Sequence, residues 1–323
     1  MSQAPAPLKR LAILDDYQGV ARSMGPWDRL PGLEVTVFRD TLTDRGALVR
    51  RLEPFDAILA MRERTPFPRD LIERLANLRL LITTAARNRS IDAACCAERG
   101  IVFCGTPSHG DPTVDIAWGL IIGLMRDLPA QQQALREGRW QTSVGTALEG
   151  QTLGVVGLGK LGGRVAKVAQ AFGMKVIAWS QNLTEERAAE IGAMCVDKAR
   201  LFAEADVVTL HLILSDRSRG IVGADDLARM KKTAFIVNTS RGPLIEQDAL
   251  IAALRQGRIA GAGLDVFDIE PLPPGHPILA APNTMLTPHL GYVSQQNYSA
   301  YYAGCVEAIE AFNRGAPVRV IAP

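Results

Sequence analysis

Thr152-Leu-Gly-Val-Val-Gly157-Leu158-Gly159-Lys160-Leu161-Gly162 is the stretch whose reading decides the fold. A short apolar run, Thr152–Val156, leads through a G-x-G-x-x-G turn into the amphipathic pattern of Leu161–Phe172. The run reads as a buried parallel strand and the pattern as a helix packed on it. Each glycine has its own reason: the first allows a tight turn, the second lets backbone approach a pyrophosphate, and the third lets helix and strand pack closely. The helix N-terminus then offers amide donors to phosphate. With 29 glycines in 323 residues the spacing alone means little; the strand–turn–helix context makes it a dinucleotide loop. Gly157, Leu158, Gly159, Lys160, Leu161 and Gly162 form its cofactor-binding set.

Outward from this loop, an acidic residue is expected about 20 residues on, where it would hold the adenosine ribose hydroxyls. The next strand, Lys175–Trp179, is followed by Ser180 instead. Without a carboxylate nothing there repels a 2′-phosphate, yet no arginine stands beside Ser180, Arg187 being the nearest downstream. Both NAD(H) and NADP(H) therefore remain open, with NAD(H) slightly ahead. Further apolar runs at Asp206–Leu210, Ala234–Asn238, Gly261–Asp265 and Thr284–Thr287 alternate with helical patterns such as Gln247–Gln256.

A second series precedes the loop, with strands at Leu8–Leu14, Glu34–Arg39, Ala57–Met61, Leu78–Thr83 and Ile101–Cys104, and helices at Arg69–Ala76 and Asp92–Arg99. The expected fold class is α/β: two doubly wound parallel-sheet domains, the second of Rossmann type. Pro107–Pro112 reads as the crossover. Val114–Leu128 is too apolar for an exposed helix and too short to span a bilayer of about 20 residues, which predicts a helix buried between domains or subunits. Ser294–Arg314 predicts a helix returning to the first domain.

The chain is long enough for two cores, 47% apolar and 22% charged, with a net charge of +2. Its basic and acidic residues are interspersed, so neither nucleic acid nor membrane is an expected partner. Five cysteines make an odd count without paired metal spacing, and Cys95 and Cys96 are adjacent. They read as reduced core thiols of a cytoplasmic protein, with no metal site. Met1–Arg10 holds prolines and charges but no apolar leader core.

Three strand ends carry the chemistry. Arg241 lies in Asn238-Thr239-Ser-Arg241-Gly242-Pro243, Glu270 in Leu264-Asp265-Val-Phe-Asp-Ile-Glu270-Pro271, and His289 in Leu286-Thr-Pro-His289-Leu-Gly291. Ligands bind outside the carboxyl ends of strands in open α/β sheets, so the three side chains are expected to converge. Oxidising a secondary alcohol beside a carboxylate needs a base titrating near neutrality, a cation for the carboxylate and C2 oxygen, and a carboxylate partner for the base. Of the other histidines, His211 is expected to pack on the cofactor side. His109 and His276 lie in Pro/Gly-rich loops and are expected at the surface.

These motifs, in this order and spacing, resemble the D-isomer-specific 2-hydroxyacid dehydrogenase family. The resemblance implies that Arg241 binds the substrate carboxylate and C2 oxygen. It makes His289 the general acid/base and Glu270 the partner that keeps its proton available. Thr239, Asp265 and Gly291 would lie on the cofactor side, Asp265 facing the nicotinamide carboxamide, and Arg62 at the mouth of the substrate cleft. The outer, flavodoxin-like substrate domain would comprise residues 1–106 and 290–323, and the cofactor domain residues 107–289. A homodimer would form through Val114–Leu128 and Trp140.

Where the family carries a Gly-rich turn for the carboxylate, this chain has Thr84-Ala85-Ala86-Arg87-Asn88-Arg89. Backbone donors at Ala85, Ala86 and Arg87 survive such a change where φ stays negative, and Arg87 or Arg89 adds a possible contact to a second acidic group. The expected reaction is hydride transfer between NAD(P)H and C2 of a small 2-oxo or 2-hydroxy acid of D configuration, with glyoxylate or hydroxypyruvate the first guesses. The alternatives are a short phosphoglycerate dehydrogenase and a non-catalytic NAD-sensing protein on the same scaffold. A formate dehydrogenase-like enzyme ranks low, because that family has an amide side chain where this chain has Glu270.

Overall fold

The structure, a computed structural model, describes residues 6–323; the start of the Met1–Arg10 leader reading lies outside the described residues. The chain divides into two compact units, one running up to Gly110 and resuming over Ser294–Pro323, the other Asp111–Val293.

In the first unit β1 (Arg10–Ile13), β2 (Glu34–Val37), β3 (Ala57–Ala60), β4 (Leu80–Thr83) and β5 (Val102–Gly105) form one parallel sheet in the order β2-β1-β3-β4-β5. That is the flavodoxin-like order. Every residue of β3 and β4 is buried, as a parallel sheet covered on both faces requires. Between the strands run α1 (Ala21–Met24), α2 (Arg45–Leu52), α3 (Arg69–Ile72) and α4 (Ala93–Glu98). Asp44 and Asp92 cap α2 and α4 by accepting from the amides of Ala47 and Cys95. The helix expected to reach Ala76 stops at Ile72, because Arg74 and Leu75 bond back only three residues, to Leu71 and Ile72.

The second unit opens with α5 (Thr113–Met125) and α6 (Leu128–Arg136). The single helix expected over Val114–Leu128 is thus broken: Asp127 has φ 53° and Pro129 sits in the first turn of α6. Part of its apolar length is accounted for within the unit. Trp118, Leu120, Ile121 and Leu124 are buried within this unit, on the sheet described next.

That sheet is built from β6 (Thr152–Val156), β7 (Lys175–Trp179), β8 (Met194–Cys195), β9 (Val207–Leu210), β10 (Phe235–Asn238), β11 (Gly261–Leu264) and β12 (Thr284–Leu286). All seven are parallel, in the order β12-β11-β10-β9-β6-β7-β8. Starting from β6, this is a Rossmann arrangement with its switch point between β6 and β9. The helices are α7 (Lys160–Ala171), α8 (Glu185–Ala189), α9 (Lys198–Glu204), α10 (Ala224–Arg229) and α11 (Gln247–Arg255). The long helix α5 packs against β10, β11 and α7. A Cβ on Gly263 of β11 would lie 3.0 Å from Leu120, so the glycine lets α5 sit close to the sheet.

The last helix, α12 (Gln295–Asn313), belongs to the first unit, with Ser294 as its N-cap. Tyr298 and Tyr302 stack at 5.9 Å, and both are buried packing residues. Cys95, Cys96, Cys104 and Cys305 are buried free thiols, whereas Cys195 on β8 is half-exposed rather than in a core. No helix among the described residues is long and apolar enough to cross a membrane.

Candidate active site

The register of β6 against β9 pairs Val156 with Leu210, so Gly157 and His211 leave the sheet side by side. They open a cavity of about 570 Å³ lined by Gly157–Leu161, Ser180–Leu183, Arg187 and the segment from His211 to Ile221. The glycines of the turn have distinct surroundings. Gly157 has φ 99°, and a Cβ on it would lie 2.9 Å from the backbone of His211. A Cβ on Gly162 would lie 2.1 Å from the Gly157 carbonyl oxygen, which seats α7 against the turn. Gly159 alone of the three has nothing within 4 Å of its Cβ position.

This is the bare backbone surface over a helix N-terminus that a pyrophosphate needs, and the residues present fit a dinucleotide. One buried hydroxyl, Thr239 Oγ1 just past β10, has no partner among the described residues. Burial pushes the His211 imidazole down to about 4, and its Nε2 stands 3.0 Å from the Thr209 hydroxyl. A neutral His211 is therefore a wall of the cavity rather than a cation.

The three strand ends that carry Arg241, Glu270 and His289 are neighbours in exact lateral register: Asn238 of β10 pairs with Leu264 of β11, and Leu264 with Leu286 of β12. Beyond β10 the Asn238 side chain folds the turn. Its Oδ1 accepts from the Ser240 amide at 3.0 Å, and its Nδ2 donates to the Arg241 carbonyl at 2.8 Å. Arg241 is half-buried, and its Nη1 donates to the Ser240 carbonyl at 2.7 Å. A Cβ on Gly242 would lie 2.2 Å from the Phe267 carbonyl carbon. Only glycine lets the turn after β10 rest on the loop that carries Glu270.

Glu270 Oε1 accepts the Phe267 amide at 2.8 Å, and Oε2 stands 2.6 Å from His289 Nδ1. Both side chains are about one-fifth exposed. His289 itself is held in the left-handed region at φ 54°, an unusual place for a non-glycine residue. Asp265 holds it there. One carboxylate oxygen accepts from the Thr287 hydroxyl at 2.6 Å and the Leu290 amide at 2.7 Å, and the other accepts the Gly291 amide at 2.8 Å. Burial pushes the Asp265 carboxyl up, and these donors pull it back. Thr113 of α5 donates to the Gly291 carbonyl at 2.8 Å, and Tyr292 lies edge-on to the His289 ring.

In the first unit the residues named for substrate lie on the loops after β3 and β4. Arg62 has φ 51°; its amide donates to the Thr84 hydroxyl at 2.8 Å, and its carbonyl accepts from Asn88 Nδ2 at 2.5 Å. Ala85 departs from expectation: its φ is 66°, not negative. Its amide is also committed to the Thr106 hydroxyl at 2.8 Å. Ala86 and Arg87 are exposed, and among the described residues their amides donate no hydrogen bond.

Four features were not read from the sequence. Asp265 clamps the His289 turn, Asn238 folds the Arg241 turn, and His276 is a half-buried helix cap that accepts the Ile278 amide rather than a free surface group. The fourth corrects the reading of the ribose end: Arg187 and Arg217 both line the cavity that holds Ser180. Asx-turn chemistry gave a signal for Asn238; Arg217 gave none, since it lies far along the chain from Ser180.

A dinucleotide cradle beside an Arg, a Glu–His pair and a sheet of this order define a nicotinamide-dependent oxidoreductase. The family described as "D-isomer specific 2-hydroxyacid dehydrogenase, NAD binding domain" matches residues 118–291. The chain is 34% identical to a glyoxylate reductase of Korarchaeum cryptofilum over 84% of its length and 83% of that protein's. It is 31% identical to a hydroxypyruvate reductase of Blautia hydrogenotrophica, over 97% of this chain and 99% of the other. Among solved structures, phosphoglycerate oxidoreductase from Vibrio cholerae superposes with a TM-score of 0.90 at 38% identity, covering 96% of this chain and all of that one. The chain belongs to the D-isomer-specific 2-hydroxyacid dehydrogenase family and is an NAD(P)-dependent oxidoreductase acting on CH–OH donors.

Proposed function

We propose that the chain reduces glyoxylate or hydroxypyruvate to the corresponding D-2-hydroxy acid, with Arg241, Glu270 and His289 as its catalytic residues. The observation that carries this reading is the 2.6 Å contact between His289 Nδ1 and Glu270 Oε2, on strand ends in register with that of Arg241. The names of two similar proteins, a glyoxylate reductase and a hydroxypyruvate reductase, agree with it.

A nicotinamide dinucleotide held over Gly157–Gly162 would supply hydride chemistry at C2. Arg241 holds the carboxylate and polarises the C2 oxygen. Glu270 engages Nδ1 of His289, which leaves Nε2 to hand its proton to the C2 oxygen as the alcohol forms. Before the transfer the Glu270 carboxylate balances the protonated His289; once the proton has left, the pair keeps the single negative charge of Glu270, which favours reprotonation of His289. This proton transfer contributes about 10²–10⁴-fold. Asp265 serves the reaction by fixing the turn that presents His289. Arg62 and the free amides of Ala86 and Arg87 are donors suited to a carboxylate. The proposal drops the amide of Ala85, because Thr106 already takes it.

In this reading residues 1–106 and 290–323 form the substrate domain and residues 107–289 the cofactor domain; the compact units break a few residues later, after Gly110 and Val293. The chain works as a cytoplasmic homodimer, supported by the exposed apolar side chains of Leu128, Leu135, Trp140 and Val144 and by five free cysteines. Leu128 and Trp140 belong to the surface expected from the sequence, and Leu135 and Val144 extend it.

Oxidation of NADH and NADPH with glyoxylate, hydroxypyruvate, pyruvate, phenylpyruvate and oxaloacetate, beside His289→Ala, tests this. Turnover falling by at least about 10²-fold in the variant is expected. Turnover that survives the substitution refutes the role of His289. Dinucleotide binding without any turnover would favour the sensor reading. The similarity to the Vibrio cholerae protein, a phosphoglycerate oxidoreductase by name, favours a second substrate, phosphoglycerate, assayed in the oxidative direction.

A further inference from the structure

Cofactor form is decided where the adenosine ribose lies. A dinucleotide lacking the 2′-phosphate is held there by a carboxylate on the two ribose hydroxyls, while one bearing the phosphate needs that carboxylate gone and cations in its place. The cavity that starts at Gly157 shows the second pattern. Ser180 directly follows β7, where the carboxylate would stand, and no acidic side chain is among the residues lining the cavity.

Three cations line it. Lys160 is engaged by Asp111 at 2.8 Å. The other two, Arg187 from α8 and Arg217 from the loop after β9, have side chains that make no ion pair or hydrogen bond among the described residues. Gln181 joins their two segments, its Nε2 donating to the Arg217 carbonyl at 3.4 Å. The acidic residues nearest in sequence, Glu185, Glu186 and Asp216, are exposed and do not line the cavity. Leu183, Leu212, Ile213 and Ile221 supply apolar wall beside these polar groups, as an adenine ring needs.

We propose that this cavity selects NADP(H) over NAD(H), with Ser180 admitting the 2′-phosphate and Arg187 and Arg217 binding it. The inference rests on the reading of the cavity as the dinucleotide site. A phosphate monoester carries about −1.5 to −2 charge at pH 7, and two uncommitted guanidiniums match it as paired donors do.

Calorimetry with adenosine 2′,5′-bisphosphate and with 5′-AMP, probes that carry no redox chemistry, reads the selection directly. The bisphosphate is expected to bind at least about tenfold more tightly. The kcat/KM ratio of NADPH to NADH is expected to fall by about 10²-fold in Arg187→Ala/Arg217→Ala and to invert in Ser180→Asp. A wild-type ratio favouring NADH overturns the proposal, and so do variants that weaken both cofactors equally, since that marks a merely structural role. Failure of both nucleotides and both cofactors to bind overturns the dinucleotide site itself. The wild-type measurements decide the matter even where the double variant does not fold.

Discussion

Replacing Gly162 with alanine sets a methyl carbon 2.1 Å from the Gly157 carbonyl oxygen. A carbon and an oxygen rest at roughly 3.2 Å, so the turn or the first coil of α7 has to move by about 1 Å, which in packed interiors costs about 1–3 kcal/mol. Because the obstacle is a backbone oxygen the upper end of that range applies, and after the gain of about 1 kcal/mol for alanine as the better helix former a net loss of about 2 kcal/mol remains. For a unit of this size that is a Tm lowered by about 4–8 °C. Gly159→Ala is the control that separates the two uses of glycine. Its Cβ meets nothing within 4 Å, and its φ of −83° suits alanine. Only the poorer N-cap counts against it, at about 1 kcal/mol or less. The space it fills is where the pyrophosphate approaches, so dinucleotide affinity is expected to fall at least about tenfold. Scanning calorimetry of both variants, with fluorescence titration of NADPH and NADH, gives both axes. Wild-type affinity in Gly159→Ala would refute the placement of the pyrophosphate; a wild-type Tm in Gly162→Ala would refute the packing argument.

Asp265→Asn keeps the shape of the clamp but turns an amide NH2 toward a donor, either the Thr287 hydroxyl and Leu290 amide or the Gly291 amide. A loss of about 1–3 kcal/mol and a lower kcal-matched Tm, together with a reduced kcat, are expected; an unchanged melting curve would show the clamp to be idle. His211, pushed down to about 4 by burial, stays neutral in the fold while the unfolded chain takes up its proton below about pH 6.5. Stability should therefore fall as pH drops from about 6.5 toward 4, by at most about 3 kcal/mol; His211→Gln should flatten that part of the Tm–pH profile, and an identical slope would contradict it. Burial pushes the thiols of Cys96 and Cys104 up to about 12, so native alkylation mapped by mass spectrometry should mark half-exposed Cys195 first. Equal labelling of Cys104 would go against that order.

What could be read from sequence was whatever repeats along it. Ala57–Ala60 is an unbroken apolar run because both faces of a parallel sheet are covered, and the glycine spacing at Gly157–Gly162 carries its own mechanism. Arg241, Glu270 and His289 were legible as strand-end residues, though their lateral register is a property of the sheet. Features set by tertiary contact were not legible. Two-residue β8 is too short for any periodicity, and the bend at Asp127 depends on one left-handed residue. Ala85 is driven to φ 66° in a turn braced by Thr106 and Asn88, against the preference of alanine. Arg217 lines the same cavity as Ser180 only through the loop that Gln181 anchors.

The bracing of His289 by Asp265, and of Glu270 by the Phe267 amide, also bears on what the site asks of its substrate. An acid of two or three carbons offers few handles, and little of its binding can be diverted to assembling a catalytic constellation. In the proposed reaction the pair that relays the proton is braced by Asp265 and by the Phe267 amide rather than by the substrate. Such preassembly suits small, sparsely decorated molecules, and it leaves discrimination among them to loops that can vary without disturbing the relay.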